Sequence, residues 1–270
     1  MKRLTRRSLL QSAAVLSAGV VLRPGGGASG VTLRSSDIGR SQLGTPLTMN
    51  QFGSGRLRLF ILGGQHGGPE VNTVHLSRML MDHFAQNPAV IPPNVSVFVL
   101  PEGNPDGVAN GSRQFVSGVD PNRNWGGADW QSDAYDSNGQ YRPGLGGPEP
   151  FSEPETAALA GWLWNTWPVY TINYHSVGGF MFGSGEGLTG ELSEIYSNAS
   201  GYPRPTAGGG GGRSPLTYRA TGNMNGWMRG VGMGGCLIEL ASVTDPEFNR
   251  NLAGVTAILQ RLATEGQAQA

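Results

Sequence analysis

The stretch Ile61-Leu62-Gly63-Gly64-Gln65-His66-Gly67-Gly68-Pro69-Glu70 decides how the chain folds. The apolar run before it, Leu57 to Leu62, has the composition of a buried strand and stops at two glycines. A histidine and a carboxylate then follow. Pro69 suits the first position of a helix, which the spacing predicts over Pro69 to Gln86 with Glu70 in its opening turn. Open α/β sheets gather polar groups this way: a strand aims the chain, glycines let it turn, and ligands emerge at the strand's carboxyl end. An imidazole nitrogen and a carboxylate oxygen are both good Zn²⁺ ligands. Two ligands do not make a site, so the rest of the chain must supply a third.

The same rhythm continues along the chain. Val31 to Gln51 reads as a leading strand or arm with a turn. Val95 to Leu100 is a β-branched, buried strand, and Val169 to Tyr174 is another, ending on His175-Ser176. Gly235 to Ala241 is an apolar strand interrupted by Glu239. Helices are expected after Ser152-Glu153-Pro154-Glu155, with Ser152 as cap, over Gly190 to Ala199, over Ala220 to Met228, and from Asp245-Pro246-Glu247 to Ala263. Pro101 to Gly147 is a long polar, glycine-rich region of the kind that carries function. Gly201 to Pro215, with glycines at 208 to 212, reads as a mobile surface loop. Strands alternating with helices give an α/β layered fold.

Composition excludes several classes. The 270 residues suit one large α/β domain. Lys2 is the sole lysine, and it lies in the leader described next, so a lysine nucleophile is excluded. Cys236 is the sole cysteine, which rules out an internal disulfide and a cysteine-cluster metal site.

Residues 1–30 read as a leader, and residues 31–270 as the catalytic domain. Thr5-Arg6-Arg7-Ser8-Leu9-Leu10-Gln11 resembles a twin-arginine export signal. The apolar run Leu9 to Leu22 is too short to span a membrane, and the small residues Gly27-Ala28-Ser29-Gly30 follow it. Export to the periplasm or the medium is expected, with no membrane span afterwards. Five of the 19 basic residues and none of the 19 acidic ones lie in this leader, so the remainder carries 14 against 19, a balance of −5. That argues against nucleic acid as a partner. A monomer is expected.

Four histidines are present. His75 and His83 fall within a helical pattern and are given no role. His66 and His175 each sit at or just past the end of an apolar strand. With Glu70 they make a His₂Glu set, which leaves the fourth zinc position open, as catalytic sites require. Glu239 has two readings of equal weight: a solvent-facing residue of an alternating strand, or a general base beside activated water.

These residues, with Asn104-Pro105-Asp106-Gly107, Arg113, Gly118-Val119-Asp120-Pro121-Asn122-Arg123-Asn124, Tyr218 and Glu239-Leu240, resemble the zinc metallocarboxypeptidases of the carboxypeptidase A type. The order is the family's, from about residue 57 to 240, and the Asp-x-Asn-Arg-Asn run is its most specific piece. The resemblance implies a three-layer α/β/α fold with a mixed, mostly parallel twisted sheet. It implies Zn²⁺ held by His66, Glu70 and His175, with Glu239 as general base and acid and Arg113 at the oxyanion. Asn122 and Arg123 would hold the substrate's terminal carboxylate, and Tyr218 would close over it. Asn225 falls at the position lining the family's specificity pocket; it is neither apolar nor acidic. One departure stands out: three residues separate His66 from Glu70, where the family pattern has two.

The implied activity is hydrolysis of a C-terminal peptide bond, on protein tails or on cell-wall stem peptides. Related deacylases of N-acylated amino acids share the zinc ligands, but Arg113 and Tyr218 favour a peptidase. A non-catalytic peptide- or wall-binding relative is the third reading, and the intact Glu239 speaks against it.

Overall fold

Side chains alternate across the strand Leu57–Leu62 (β3), and both faces are buried. Leu59 and Ile61 point into one apolar cluster, Phe60 and Leu62 into another. A strand covered on both sides reads as a largely apolar run, which is why only Arg58, near its exposed start, is polar. Burying each such side chain contributes about 1.5–3 kcal/mol.

The computed structural model describes residues 33–205 and 218–265. The expected leader and most of the expected polyglycine loop lie outside these residues. The main sheet adds Leu33–Arg40 (β1), Pro46–Phe52 (β2), Val95–Leu100 (β4), Tyr170–Ser176 (β7), Phe180–Ser184 (β8) and Gly235–Leu240 (β9) to β3. Its order is β1-β2-β4-β3-β7-β9-β8. The central four, β4, β3, β7 and β9, are mutually parallel. The hairpin β1–β2 and the edge strand β8 pair antiparallel, so the sheet is mixed. A two-stranded ribbon, Ala134–Tyr135 (β5) with Tyr141–Arg142 (β6), stands apart.

Helices cover both faces. Asn72–Gln86 (α1), Leu188–Ser200 (α4) and Phe248–Ala263 (α6) pack Leu80, Tyr196 and Ile258 on one side. Pro154–Thr166 (α3) and Met224–Val231 (α5) pack Leu163, Trp227 and Met228 on the other. This is the expected three-layer α/β/α arrangement. A short helix, Pro105–Asn110 (α2), is capped by Asn104, whose Oδ1 accepts from Gly107 N at 2.9 Å. Among the described residues no helix is long and apolar enough to cross a membrane.

Local expectations needed correction at several points. Pro69 is the middle residue of a short 3₁₀ turn over Gly68–Glu70, and the α-helix starts only at Asn72. Ser152 does not cap α3; its hydroxyl donates to Glu153 and accepts from Asn124, while Glu155 accepts from the Gln42 amide. The helix expected from Ala220 starts at Met224, where Asn223 Oδ1 accepts from Gly226 N. The long region 101–147 holds α2 and the β5–β6 ribbon, and β8 was not foreseen.

Candidate metal centre and active site

β3 and β7 are adjacent and parallel, so their carboxyl ends lie side by side. His66 follows β3 by four residues, and His175 is the penultimate residue of β7. The glycines between His66 and Glu70 make the turn possible. A Cβ on Gly67 would lie 2.2 Å from the Gly107 carbonyl carbon, and Gly68 takes φ +58°, a left-handed conformation. Gly68 thereby accommodates the longer spacing, and Glu70 still faces His66.

The three side chains converge. His66 Nδ1 lies 2.9 Å from Glu70 Oε1, His175 Nδ1 lies 3.1 Å from Glu70 Oε2, and the two Nδ1 atoms are 3.2 Å apart. All three residues are buried. Tetrahedral zinc with donors at 2.0–2.1 Å requires donor separations of about 3.3 Å. The opposite ring edges settle which nitrogens are free. His66 Nε2 faces Asp120 Oδ1 at 3.0 Å, and a carboxylate can only accept. His175 Nε2 faces Gln65 Oε1 at 2.9 Å. The Gln65 amide is itself fixed, because Oε1 accepts from Asn173 Nδ2 and Nε2 donates to the Pro121 carbonyl. Both Nε2 atoms therefore carry protons, and both Nδ1 lone pairs point inward with a carboxylate. Such groups repel unless a cation joins them, and outer partners of this kind hold metal-ligating histidines in place. The donor set fits zinc.

In the metal-free site the same crowding of acceptors acts on the protons, favouring one on His66 where a cation would otherwise sit. Burial opposes charge on Glu70, but the His66 ring, the His175 contact and Arg113 hold its carboxyl well below the usual range. Burial likewise opposes charge on Asp120, yet Arg113 and His66 keep it ionised. Burial and Arg113 disfavour protonation of His66; Glu70 and Asp120 outweigh them and raise its pKa. Burial leaves His175 lowered. Arg113 pairs with Glu70 Oε1 through Nη1 and with Asp120 Oδ2 through Nε at 3.3 Å.

A cleft of about 760 Å³ opens over this cluster. His66, His175, Arg113, Asn122, Arg123, Tyr218, Asn225 and Glu239 all line it. Glu239 sits on β9 in register with His175, partly buried. Burial, reinforced by the Glu70 carboxylate, pushes its carboxyl up to about 7. Asn122 is held by Met224 N, which donates to its Oδ1 at 3.0 Å. Arg123 is buried, with Nε and Nη1 donating to the carbonyls of Tyr135 and Asn122. The Tyr218 ring lies 5.8 Å from its guanidinium carbon. His75 and His83 lie on α1, outside this cluster.

Two residues were not singled out from sequence: Asp120 and Gln65, which orient the histidines from behind. Asp120 stood inside the Asp-x-Asn-Arg-Asn run, and Gln65 adjoins His66; their partners are long-range, so only the position in the run hinted at a role.

Comparison with known proteins agrees with this geometry. The model of peptidase family M14, zinc carboxypeptidase, matches residues 31–231. Murein peptide amidase A of Escherichia coli K12 is 33% identical over 144 residues, covering 51% of this chain and 57% of that protein. The chain thus matches little more than half the length of that curated relative. The crystal structure of murein-tripeptide amidase from Escherichia coli O157 superposes with a TM-score of 0.63 at 24% identity, covering 90% of this chain and 97% of that one. Bovine thrombin-activatable fibrinolysis inhibitor, in complex with tick carboxypeptidase inhibitor, gives 0.69 at 18% identity, covering 86% and 90%. Carboxypeptidase A from Helicoverpa armigera gives 0.67 at 16%, covering 87% and 69%. All three structural matches, at 24% identity or less, speak for the fold alone, but the family match spans most of the chain: it belongs to the zinc carboxypeptidase family, whose metal is zinc.

Proposed function

We propose that this chain is an exported zinc peptidase that removes the terminal residue of peptides with a free carboxyl end, cell-wall stem peptides among them. His66, Glu70 and His175 would hold the metal. Bound there, zinc supplies Lewis-acid polarisation of a carbonyl and a lowered pKa for water. Glu239 takes the proton of the attacking water and returns it to the leaving nitrogen, a task for which a carboxyl poised near neutrality is suited. Arg113, paired with Glu70 and Asp120 at the cleft wall, supplies the cation that stabilises the oxyanion in a largely buried setting. Arg123 and the Asn122 amide bind the terminal carboxylate, and Tyr218 covers it. Asp120 and Gln65 hold the two rings in register.

One observation carries the reading: Glu239 shares a cleft with both histidines and stands opposite His175 on the neighbouring strand. The wall-peptide substrate is supported by the relative named murein peptide amidase A. Export is supported by the paired Arg6-Arg7 and the apolar run behind them. The test is turnover of free-ended and amidated peptides, stem peptides included, by zinc-loaded protein and by Glu239→Gln. The variant is expected to retain zinc and lose about 10²–10⁴-fold in turnover. Unchanged turnover would remove the mechanism.

A further inference from the structure

We infer that the base of the sheet, at the end away from the cleft, docks on an anionic phospholipid bilayer through Trp164, Trp167 and the arginines Arg34, Arg56 and Arg58. The cleft would then face away from the lipid. The inference is independent of the catalytic reading.

Strand register brings these residues to one side of the sheet. Arg34, Gln51, Phe98 and Phe60 are successive cross-strand partners on β1, β2, β4 and β3, so all four point to one face. Phe60 belongs to the apolar cluster under α3, which makes this the α3 face. Trp162 of α3 packs against Phe60 and Phe98, with ring centroids 4.9 and 5.3 Å apart. The helix ends beside the start of β3. There Arg58, two residues before Phe60 and on the same face, donates to the Thr166 carbonyl at 2.5 Å. The metal ligands follow the other end of β3.

The charge of this side is one-signed. Arg34, Arg56 and Arg58 are exposed, and among the described residues no carboxylate pairs with any of them. From Leu33 to Pro69 the sole carboxylate is Asp37, and from Thr156 to Gly185 there is none. Asp37 is opposite Thr48, whose hydroxyl it accepts, on the other face of the hairpin. Glu186 follows β8, the far edge strand, and Glu265 pairs with Arg261 of α6, which covers the other face. A chain that carries −5 without its leader thus keeps a purely cationic corner. Such a corner complements an anionic surface.

Trp167 supplies the second observation. It ends α3 at φ +48°, a left-handed conformation that glycine favours and a bulky side chain resists. Its ring is 48% exposed, resting edge-on against Trp164 at 5.6 Å. Neither the backbone nor the core accounts for a tryptophan here. Tryptophan beside arginine is the composition that settles at the boundary of headgroups and acyl chains.

The test uses the full chain with vesicles of phosphatidylglycerol brominated on its acyl chains. Bromine quenches only tryptophans that reach the bilayer. None of the six tryptophans lies in residues 1–30, so the leader cannot produce the signal, and Trp125 and Trp227 are buried. Strong quenching is expected, reversed by 0.5 M salt (about a 4 Å screening length) and absent with brominated phosphatidylcholine. Trp164→Ser with Trp167→Gly should leave little of it. Arg34→Gln with Arg56→Gln keeps every tryptophan. At the lipid concentration that half-saturates the parent it should respond about tenfold less, from about fivefold in affinity per arginine. Trp167→Gly alone should leave Tm unchanged or higher, since glycine accepts the positive φ. No quenching by the anionic vesicles, equal quenching by both lipids, or an arginine variant that responds like the parent would overturn the inference. So would a dimer that Trp167→Gly dissociates in sedimentation, which would give this face to a second copy of the chain.

Discussion

Replacing Glu239 by glutamine should stabilise the metal-free protein, and only above acid pH. Burial and the nearby Glu70 carboxylate push the Glu239 carboxyl from its ordinary value of 4.5 up to about 7. A carboxyl raised in the folded state holds its proton more tightly there than in the unfolded chain. That favourable contribution is complete below 4.5 and is lost as pH rises through about 7. The gap corresponds to roughly 3 kcal/mol, at about 1.4 kcal/mol per tenfold change in proton affinity. Glutamine fills the same space and cannot ionise. The stability difference between variant and parent should therefore grow by roughly 3 kcal/mol between pH 4.5 and 8, or about 6–12 °C in Tm for a chain of this size. Chelator-treated protein unfolded by urea or heat at both pH values gives the comparison. Adding zinc at pH 8 should shrink the variant's advantage, because a divalent cation nearby favours the ionised carboxylate. A difference that is equal at both pH values, or a parent that gains on the variant as pH rises, would refute the reasoning.

Asp120→Ala should weaken zinc binding by about 10–100-fold in a chelator competition, since His66 loses the carboxylate that fixes its ring. Gly67→Ala should destabilise by about 1–3 kcal/mol in thermal unfolding, because the new Cβ would fall 2.2 Å from the Gly107 backbone. Gly161→Ala on α3, where a Cβ meets nothing within 4 Å, serves as the control and should be neutral or stabilising. Arg123→Ala should raise KM for peptides with a free carboxyl end and leave amidated peptides unaffected; an equal change in both would count against the terminal-carboxylate clamp.

Much of this molecule was legible before any coordinates. β4 could be placed to the residue, and β3, β7 and β9 nearly so, because strands covered on both faces announce themselves as largely apolar runs. The histidines were legible as a set: one at a strand end is most often structural, but two, with Glu70 at a like position, point to a shared metal. Other parts had no local signature. The ribbon strands β5 and β6 are two residues each, too short for any period to register. Ser152 and Glu155 have the spacing of a helix cap, yet both are drawn off by tertiary partners, Asn124 and the Gln42 amide. The roles of Asp120 and Gln65 depend on His66 and His175 being brought to one place, which follows from β3 lying beside β7 and from no short window of sequence.

Anomalous diffraction from the zinc-loaded protein, collected on both sides of the zinc absorption edge, locates the metal directly. A single strong peak is expected within about 2.0–2.2 Å of His66 Nδ1, a Glu70 oxygen and His175 Nδ1. A peak elsewhere on the chain, or protein that binds zinc equally well with both histidines replaced by alanine, would contradict the assignment of these three residues.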